Sequence, residues 1–205
     1  NYAFWSGGAI YNRNGCTPTF DCCAVVGNRA TYYGGAVFNE VSGGVYINTT
    51  ICHNKAGYTT LHDWFANPVY INDTLSGNCV NTNFYGGAVR NDFATHIFVN
   101  TIIYGNESLS AAQHGGQVAV GDVNFTPIMT YCLLEGGENG VVLNGGNPLP
   151  VIFPHLDVVD ANPNLHPLDD NGGPTPTMAI DATSPARNKG CIIYKDLNGA
   201  LFFPH

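Results

Sequence analysis

Charge is scarce in this chain. Of 205 residues, 11% are Asp, Glu, Lys or Arg, with 7 Lys plus Arg against 15 Asp plus Glu and a formal net charge of −8. A nucleic-acid partner needs clustered positive charge, which seven cations spread over the whole chain do not offer. Long apolar runs are lacking too: none approaches the roughly 18 residues of a membrane helix, which argues against a membrane span. No window carries a sustained 3.6-residue apolar stripe, so long helices are excluded. The seven cysteines have no metal-ligand spacing. The seven histidines, His53, His62, His96, His114, His155, His166 and His205, have neither i,i+4 nor His-x-His spacing. They read as turn or surface residues. There is no initiator Met and no signal-peptide pattern, so the sequence reads as a mature chain or an excised piece.

Repetition is what the chain has in abundance. Gly7-Gly8-Ala9-Ile10-Tyr11-Asn12 returns as Gly34-Gly35-Ala36-Val37-Phe38-Asn39, again as Gly86-Gly87-Ala88-Val89-Arg90-Asn91, and more weakly as Gly115-Gly116-Gln117-Val118. The gap between Gly34 and Gly86 leaves room for one degenerate copy near Gly57. A second phrase interleaves with the first. Val45-Tyr46-Ile47-Asn48-Thr49-Thr50-Ile51 aligns with Val69-Tyr70-Ile71-Asn72-Asp73-Thr74-Leu75 and with Ile97-Phe98-Val99-Asn100-Thr101-Ile102-Ile103. The copies close on Asn54, Asn78 and Asn106, with Asn28 closing a looser first copy. Two phrases at one period mean at least two strands per unit.

Within the second phrase apolar residues alternate, the mark of a strand with one buried face. Ile47 with Ile51, Ile71 with Leu75 and Val99 with Ile103 are expected inward. Asp73 breaks this inward parity, so it marks a local distortion or a hydrogen-bonded buried group. Units of this length cannot bury their own apolar face, but stacked units can. The fold expected is all-β: a parallel β-solenoid of about five to seven coils, with residues 1–140 as the repeat region. Residues 141–205, rich in Pro and Gly, form an irregular segment of the same domain, capping or wrapping its side or end.

Four Asn-x-Ser/Thr sequons occur, at Asn48, Asn72, Asn106 and Asn124. Asn48 and Asn72 hold the same place in successive copies, at a parity opposite to the inward Ile and Leu. Two N-glycans one coil apart are one reading. A hydrogen-bonded asparagine ladder at a solenoid corner is the other. The cysteines Cys16, Cys22, Cys23, Cys52, Cys79, Cys132 and Cys191 are either buried small hydrophobes or, for some of them, disulfide partners in an oxidising compartment.

The Gly-Gly-Ala-Ile/Val phrases resemble those of polymorphic outer-membrane-protein repeats of bacterial adhesins and autotransporters, although the Phe-x-x-Asn phrase of that family is replaced here by Val69-x-x-Asn72 and Ile97-x-x-Asn100. The segment Pro167-Leu168-Asp169-Asp170-Asn171-Gly172-Gly173-Pro174-Thr175-Pro176-Thr177, followed by Ser184-Pro185-Ala186, resembles the C-terminal stretch of large bacterial β-helix surface proteins. The resemblance implies a right-handed β-helix, secreted or on a cell surface, and implies architecture more than chemistry.

No catalytic constellation is legible. A β-helix hydrolase needs paired carboxylates on adjacent coils, and no two acids of the repeat region hold matching places in adjacent copies. Glu40 and Asp92 follow corresponding asparagines with a coil between them. His62 with Asp63 reads as a solvated or turn-stabilising pair. Asp169 and Asp170 are the one candidate for a calcium ion, though a turn built by Asp and Asn suits them better. Aromatics such as Tyr32, Tyr33, Phe38, Trp64, Phe65 and Tyr85 suit core packing, with sugar stacking the alternative.

The function expected is therefore an extracellular structural solenoid, glycosylated and assembling head to tail into a fibril or surface layer, with no resident cofactor. Its repeats start close to residue 1 with no cap before Gly7, which would leave strand edges free for a second copy. A carbohydrate-binding or adhesion module is the alternative, and a polysaccharide lyase or hydrolase a more distant one.

Overall fold

The computed structural model describes residues 1–81, 87–108, 117–143, 147, 149–150 and 153–191, and the backbone of 194–195 and 201–202. Gly86, Gly115, Gly116, Tyr85, His114 and His205, all named above, lie outside the described residues.

The chain winds into a parallel β-solenoid of about five turns, each turn built from short strands on four sides. One sheet stacks Ile10–Arg13, Tyr33–Glu40, Thr59–Trp64, Val89–Asp92, Val118–Val120 and Val141–Leu143. A second stacks Thr19–Asp21, Val45–Ile47, Val69–Ile71, Ile97–Val99, Ile128–Thr130 and His155–Leu156. A third runs from Ala24–Val26 through Thr50–Cys52, Thr74–Ser76 and Ile102–Tyr104 to Leu133–Leu134. The fourth is made of two-residue strands, from Tyr2–Ala3 to Glu107–Ser108. The pairings within these four sheets are parallel, and apart from a register shift between Thr59 and Leu61 each residue sits about 4.8 Å from its counterpart one coil away.

Identical chemistry therefore stacks on itself in the core. Val37, Leu61, Val89, Val118 and Val141 form one inward column, and Val25, Ile51, Leu75, Ile103 and Leu134 another. The third is aromatic: Phe20, Tyr46, Tyr70 and Phe98 stack with centroids 5.1, 4.9 and 5.0 Å apart and rings within 15° of parallel. Offset stacks of this kind add about 0.5–1.5 kcal/mol per pair beyond the area they bury.

This corrects half of the expected parity. Ile51, Leu75 and Ile103 point inward as expected, but in the preceding strands it is Tyr46, Tyr70 and Phe98, and not Ile47, Ile71 and Val99, that join the core cluster. The cause lies between them. Asn48, Asn72 and Asn100 adopt left-handed φ of 52°, 55° and 52°, turning the chain between two sheets and resetting the alternation. Asparagine tolerates that conformation because its short amide bonds locally.

The Gly-Gly phrase has two separate reasons. Gly34 has a φ of +61°, and a Cβ on Gly35 would lie 2.2 Å from the Lys55 carbonyl oxygen of the next coil. The first glycine makes the bend and the second permits the stacking. The degenerate copy falls beside Gly57 as expected, with Leu61 paired to Val37. Parallel pairing continues past residue 140, through Val141–Leu143, His155–Leu156 and a bridge from Leu133 to Val159. Beyond it, Leu165–Asp169 and Thr177–Ile180 form an antiparallel hairpin whose turn reaches the flank of the solenoid, where the Thr175 hydroxyl donates to the Cys22 carbonyl at 3.1 Å. Cys191 pairs through its backbone N–H and C=O with the Asn100 side chain.

Asp73 is a buried, hydrogen-bonded group. It shares its place in the coil with Thr49 and Thr101, and accepts the Thr49 N–H at 2.7 Å while its second oxygen is buried without a partner among the described residues. Burial pushes its carboxyl well above the usual carboxylate range, and backbone hydrogen bonds from Thr49 and Ile71 counter this only in part. Folding therefore favours the protonated form. The stability this group contributes is complete below the ordinary carboxylate pKa and is lost as pH rises through the raised folded value. Thr101 in the same place donates its hydroxyl to the Val99 and Tyr70 carbonyls. Asp73→Thr should accordingly raise unfolding free energy at pH 7 by about 1–2 kcal/mol and flatten the stability curve above pH 4. Denaturant melts across pH check this, and a destabilised variant at pH 7 would refute the account.

Candidate functional site

The outer face of the first sheet carries the chemistry. Along a strand, side chains alternate in and out. In the register Asn12, Asn39, Asp63, Asn91 the side chains turn inward and are buried. The two flanking registers face outward. One runs Tyr11, Phe38, His62, Arg90 and the other Arg13, Glu40, Trp64, Asp92. Together with Ser6 and Tyr33, all of these except Arg13 line an open cleft of about 420 Å³.

Aromatic surface dominates one part of this cleft. Tyr11, Tyr33 and Trp64 are exposed by 45%, 37% and 39%, enough to offer ring area to a ligand. Phe38 packs against Tyr11 at 5.1 Å, and the His62 ring lies 4.8 Å from Tyr33 and 5.1 Å from Phe38. The row continues outward through Tyr33 on Tyr58, Tyr58 on Tyr32 and Tyr32 on Trp5.

The polar part is ordered by Asp92. Arg90 donates Nε to Asp92 Oδ2 at 2.7 Å and Nη2 to Oδ1 at 3.1 Å, and His62 Nε2 lies 3.0 Å from Oδ2. Burial alone would raise the Asp92 carboxyl, but the hydrogen bonds and charges of His62 and Arg90 outweigh it and hold the group at about 2. His62 Nδ1 is buried without a partner among the described residues. Glu40 accepts the Tyr11 hydroxyl, and among the described residues no ion pair engages it.

Glu40 and Asp92 hold one register two coils apart with Trp64 between them, as the sequence indicated. Their Cα atoms are thus separated by about 9–10 Å, two interstrand spacings. His62 and Asp63 are not a solvated pair. They point to opposite faces: His62 joins the cleft, whereas Asp63 is fully buried, accepts Asn39 Nδ2 and lies 2.7 Å from Nε2 of the equally buried His96. His96 is likewise a core group and no surface residue.

The asparagines separate into two ladders. Asn100 donates Nδ2 to Asn72 Oδ1 at 2.9 Å, Asn72 to Asn48 at 3.2 Å, and Asn48 to Asp21 Oδ1 at 3.3 Å, along an exposed corner. The second is buried: Asn28 donates to Asn54, Asn54 to Asn78, Asn78 to Asn106, and Asn106 to Gln117 Oε1, at 2.7–3.0 Å. Asn106 is therefore a core ladder residue whose Nδ2 is committed to Gln117 and to the Leu75 carbonyl. That geometry leaves its sequon without a reachable amide, unlike the exposed Asn48, Asn72 and Asn124.

All seven cysteines considered for disulfides are free thiols. Burial pushes Cys52 up to about 11 and Cys132 up to about 12, so both stay protonated and unreactive at neutral pH. The carboxylates of Asp169 and Asp170 accept backbone N–H groups of their own turn. Among the described residues no group of three or more His, Cys, Asp or Glu gathers as for a metal.

No protein-family model, no curated protein and no solved structure matches the chain.

The electrostatics of the cleft make a prediction of their own. A carboxylate held low contributes stability above its ordinary pKa and loses it as pH falls toward the depressed value. Asp92→Asn should cost about 1–3 kcal/mol at pH 7 and remove the part of the acid destabilisation between pH 4 and pH 2 that this group supplies. A variant with unchanged melts at both ends of that range would overturn the pairing.

Proposed function

We propose that the protein is an extracellular β-solenoid that binds carbohydrate in the cleft on its first sheet. The observation that carries this is the row of exposed rings, Tyr11, Tyr33 and Trp64, set beside the carboxylate of Glu40 and the ring of His62. Aromatic faces pair with the C–H faces of sugar rings, and charged hydrogen-bonding groups fix hydroxyls. Successive coils repeat at a spacing comparable to the length of one pyranose unit, which suits a chain lying along the axis. The reading includes no resident cofactor and no catalytic residue. A glycan array probed with the protein and with Trp64→Ala tests it. Retention of a glycan class, weakened about tenfold in the variant, is expected. Retention of nothing, or equal retention by both proteins, would overturn it.

The scaffold reading stands beside it. We propose a surface-associated role of the kind implied by the resemblance to polymorphic outer-membrane-protein repeats and to the C-terminal stretch of large β-helix surface proteins. Two features support it: the sequons at Asn48 and Asn72 are exposed and one coil apart, and amide and aromatic ladders repeat along the axis in a way that a further copy could extend. After secretion from a eukaryotic host, intact mass should show glycans on Asn48 and Asn72 and none on Asn106. The same sample should scatter light as end-to-end assemblies. Bare asparagines and a monodisperse monomer would count against both.

A further inference from the structure

Charge in the cleft is unevenly spent. Asp92 is neutralised by a two-point contact with Arg90 and by His62, so neither the carboxylate nor the guanidinium remains for a ligand. Arg13, the register neighbour of Glu40, lies outside the cleft lining with its guanidinium 5.9 Å over the Tyr11 ring. Glu40 is left as a carboxylate that accepts a hydrogen bond from a neutral phenol, flanked by Tyr11 on one coil and Trp64 on another. An anionic sugar in the cleft would meet this carboxylate while the guanidinium of the lining, Arg90, is already committed to Asp92. A neutral sugar would offer Glu40 hydroxyl hydrogen bonds but no opposite charge. A sugar bearing an ammonium group would answer it, and the same ammonium would be attracted to the faces of Trp64 and Tyr33.

We propose that the cleft selects amino-sugar polymers, with Glu40 as the acceptor for the ammonium and Trp64 with Tyr33 as the stacking platform. This rests on the carbohydrate-binding reading and narrows it. The low cation count of the chain and its net charge of −8 act in the same direction, drawing polycations and repelling polyuronates. The aromatic row from Tyr33 through Tyr58 and Tyr32 gives a longer polymer further contact beyond the cleft.

Titration calorimetry with three oligomers of equal length tests this: glucosamine, its N-acetylated counterpart and galacturonate, at a pH where the amine is charged. Glucosamine oligomer should bind tightest and galacturonate not at all. Glu40→Gln should weaken glucosamine binding about tenfold and weaken the N-acetylated oligomer by a clearly smaller factor, about twofold. Glu107→Gln, which removes an equal charge from a different sheet, should change neither. Equal binding of the charged and N-acetylated oligomers, or equal losses in the two Gln variants, overturns the amino-sugar assignment while leaving carbohydrate binding in place. If all three oligomers fail to bind and the array is also blank, the broader reading falls with it.

Discussion

In-register stacking of parallel strands is the constraint on which everything else here depends. Each residue's nearest neighbour outside its own strand is its counterpart one coil away, so a position's chemistry must be compatible with itself. Apolar columns meet this easily, since valine on valine and tyrosine on tyrosine both pack well. Polar columns meet it only if the residue both donates and accepts. Asparagine does, and that is why it can be buried coil after coil at the Asn28 to Asn106 corner without an unmet hydrogen bond. Like charges in one column repel, so a charged column is disfavoured in the core; the like-charged register pair Arg29 and Lys55 stands on the exposed side of the fourth sheet.

The same constraint shapes the cleft. Its outward registers vary from coil to coil, Tyr to Phe to His to Arg and Arg to Glu to Trp to Asp, where the inward register between them stays Asn, Asn, Asp, Asn. A surface free of the core's demand for repetition can hold a set of unlike groups, and unlike groups side by side are what a specific ligand needs.

Much of the architecture was legible in the sequence because the period is written twice, in Gly-Gly-Ala and in the Asn-closed strand phrase. What could not be read was the corner. A left-handed asparagine between two strands resets alternation, so the inward role of Tyr46, Tyr70 and Phe98 was hidden behind their isoleucine and valine neighbours. The cleft was hidden for a related reason. Thr59-Thr60-Leu61-His62-Asp63-Trp64 lacks the Gly-Gly-Ala signal, and without aligning it to the copy at Gly34 neither His62 nor Trp64 falls into line with Phe38 and Glu40. Asp63 and His96, far apart in sequence and dissimilar to any repeat signal, meet only in the folded core.

The amide ladders also have a direction. The buried one passes its protons toward higher residue numbers, from Asn28 to Asn106 to Gln117, and Gln117 hands on to Glu135 Oε2. The exposed corner runs the opposite way and stops at Asp21, while Asn12 and Asn39 hand on to Asp63. Each one-way chain thus ends on a side chain that can only accept. Three of the few acids in this protein are terminators, closing a relay that would otherwise finish on a stranded donor, and their placement follows from the grammar of the ladders before any ligand is considered.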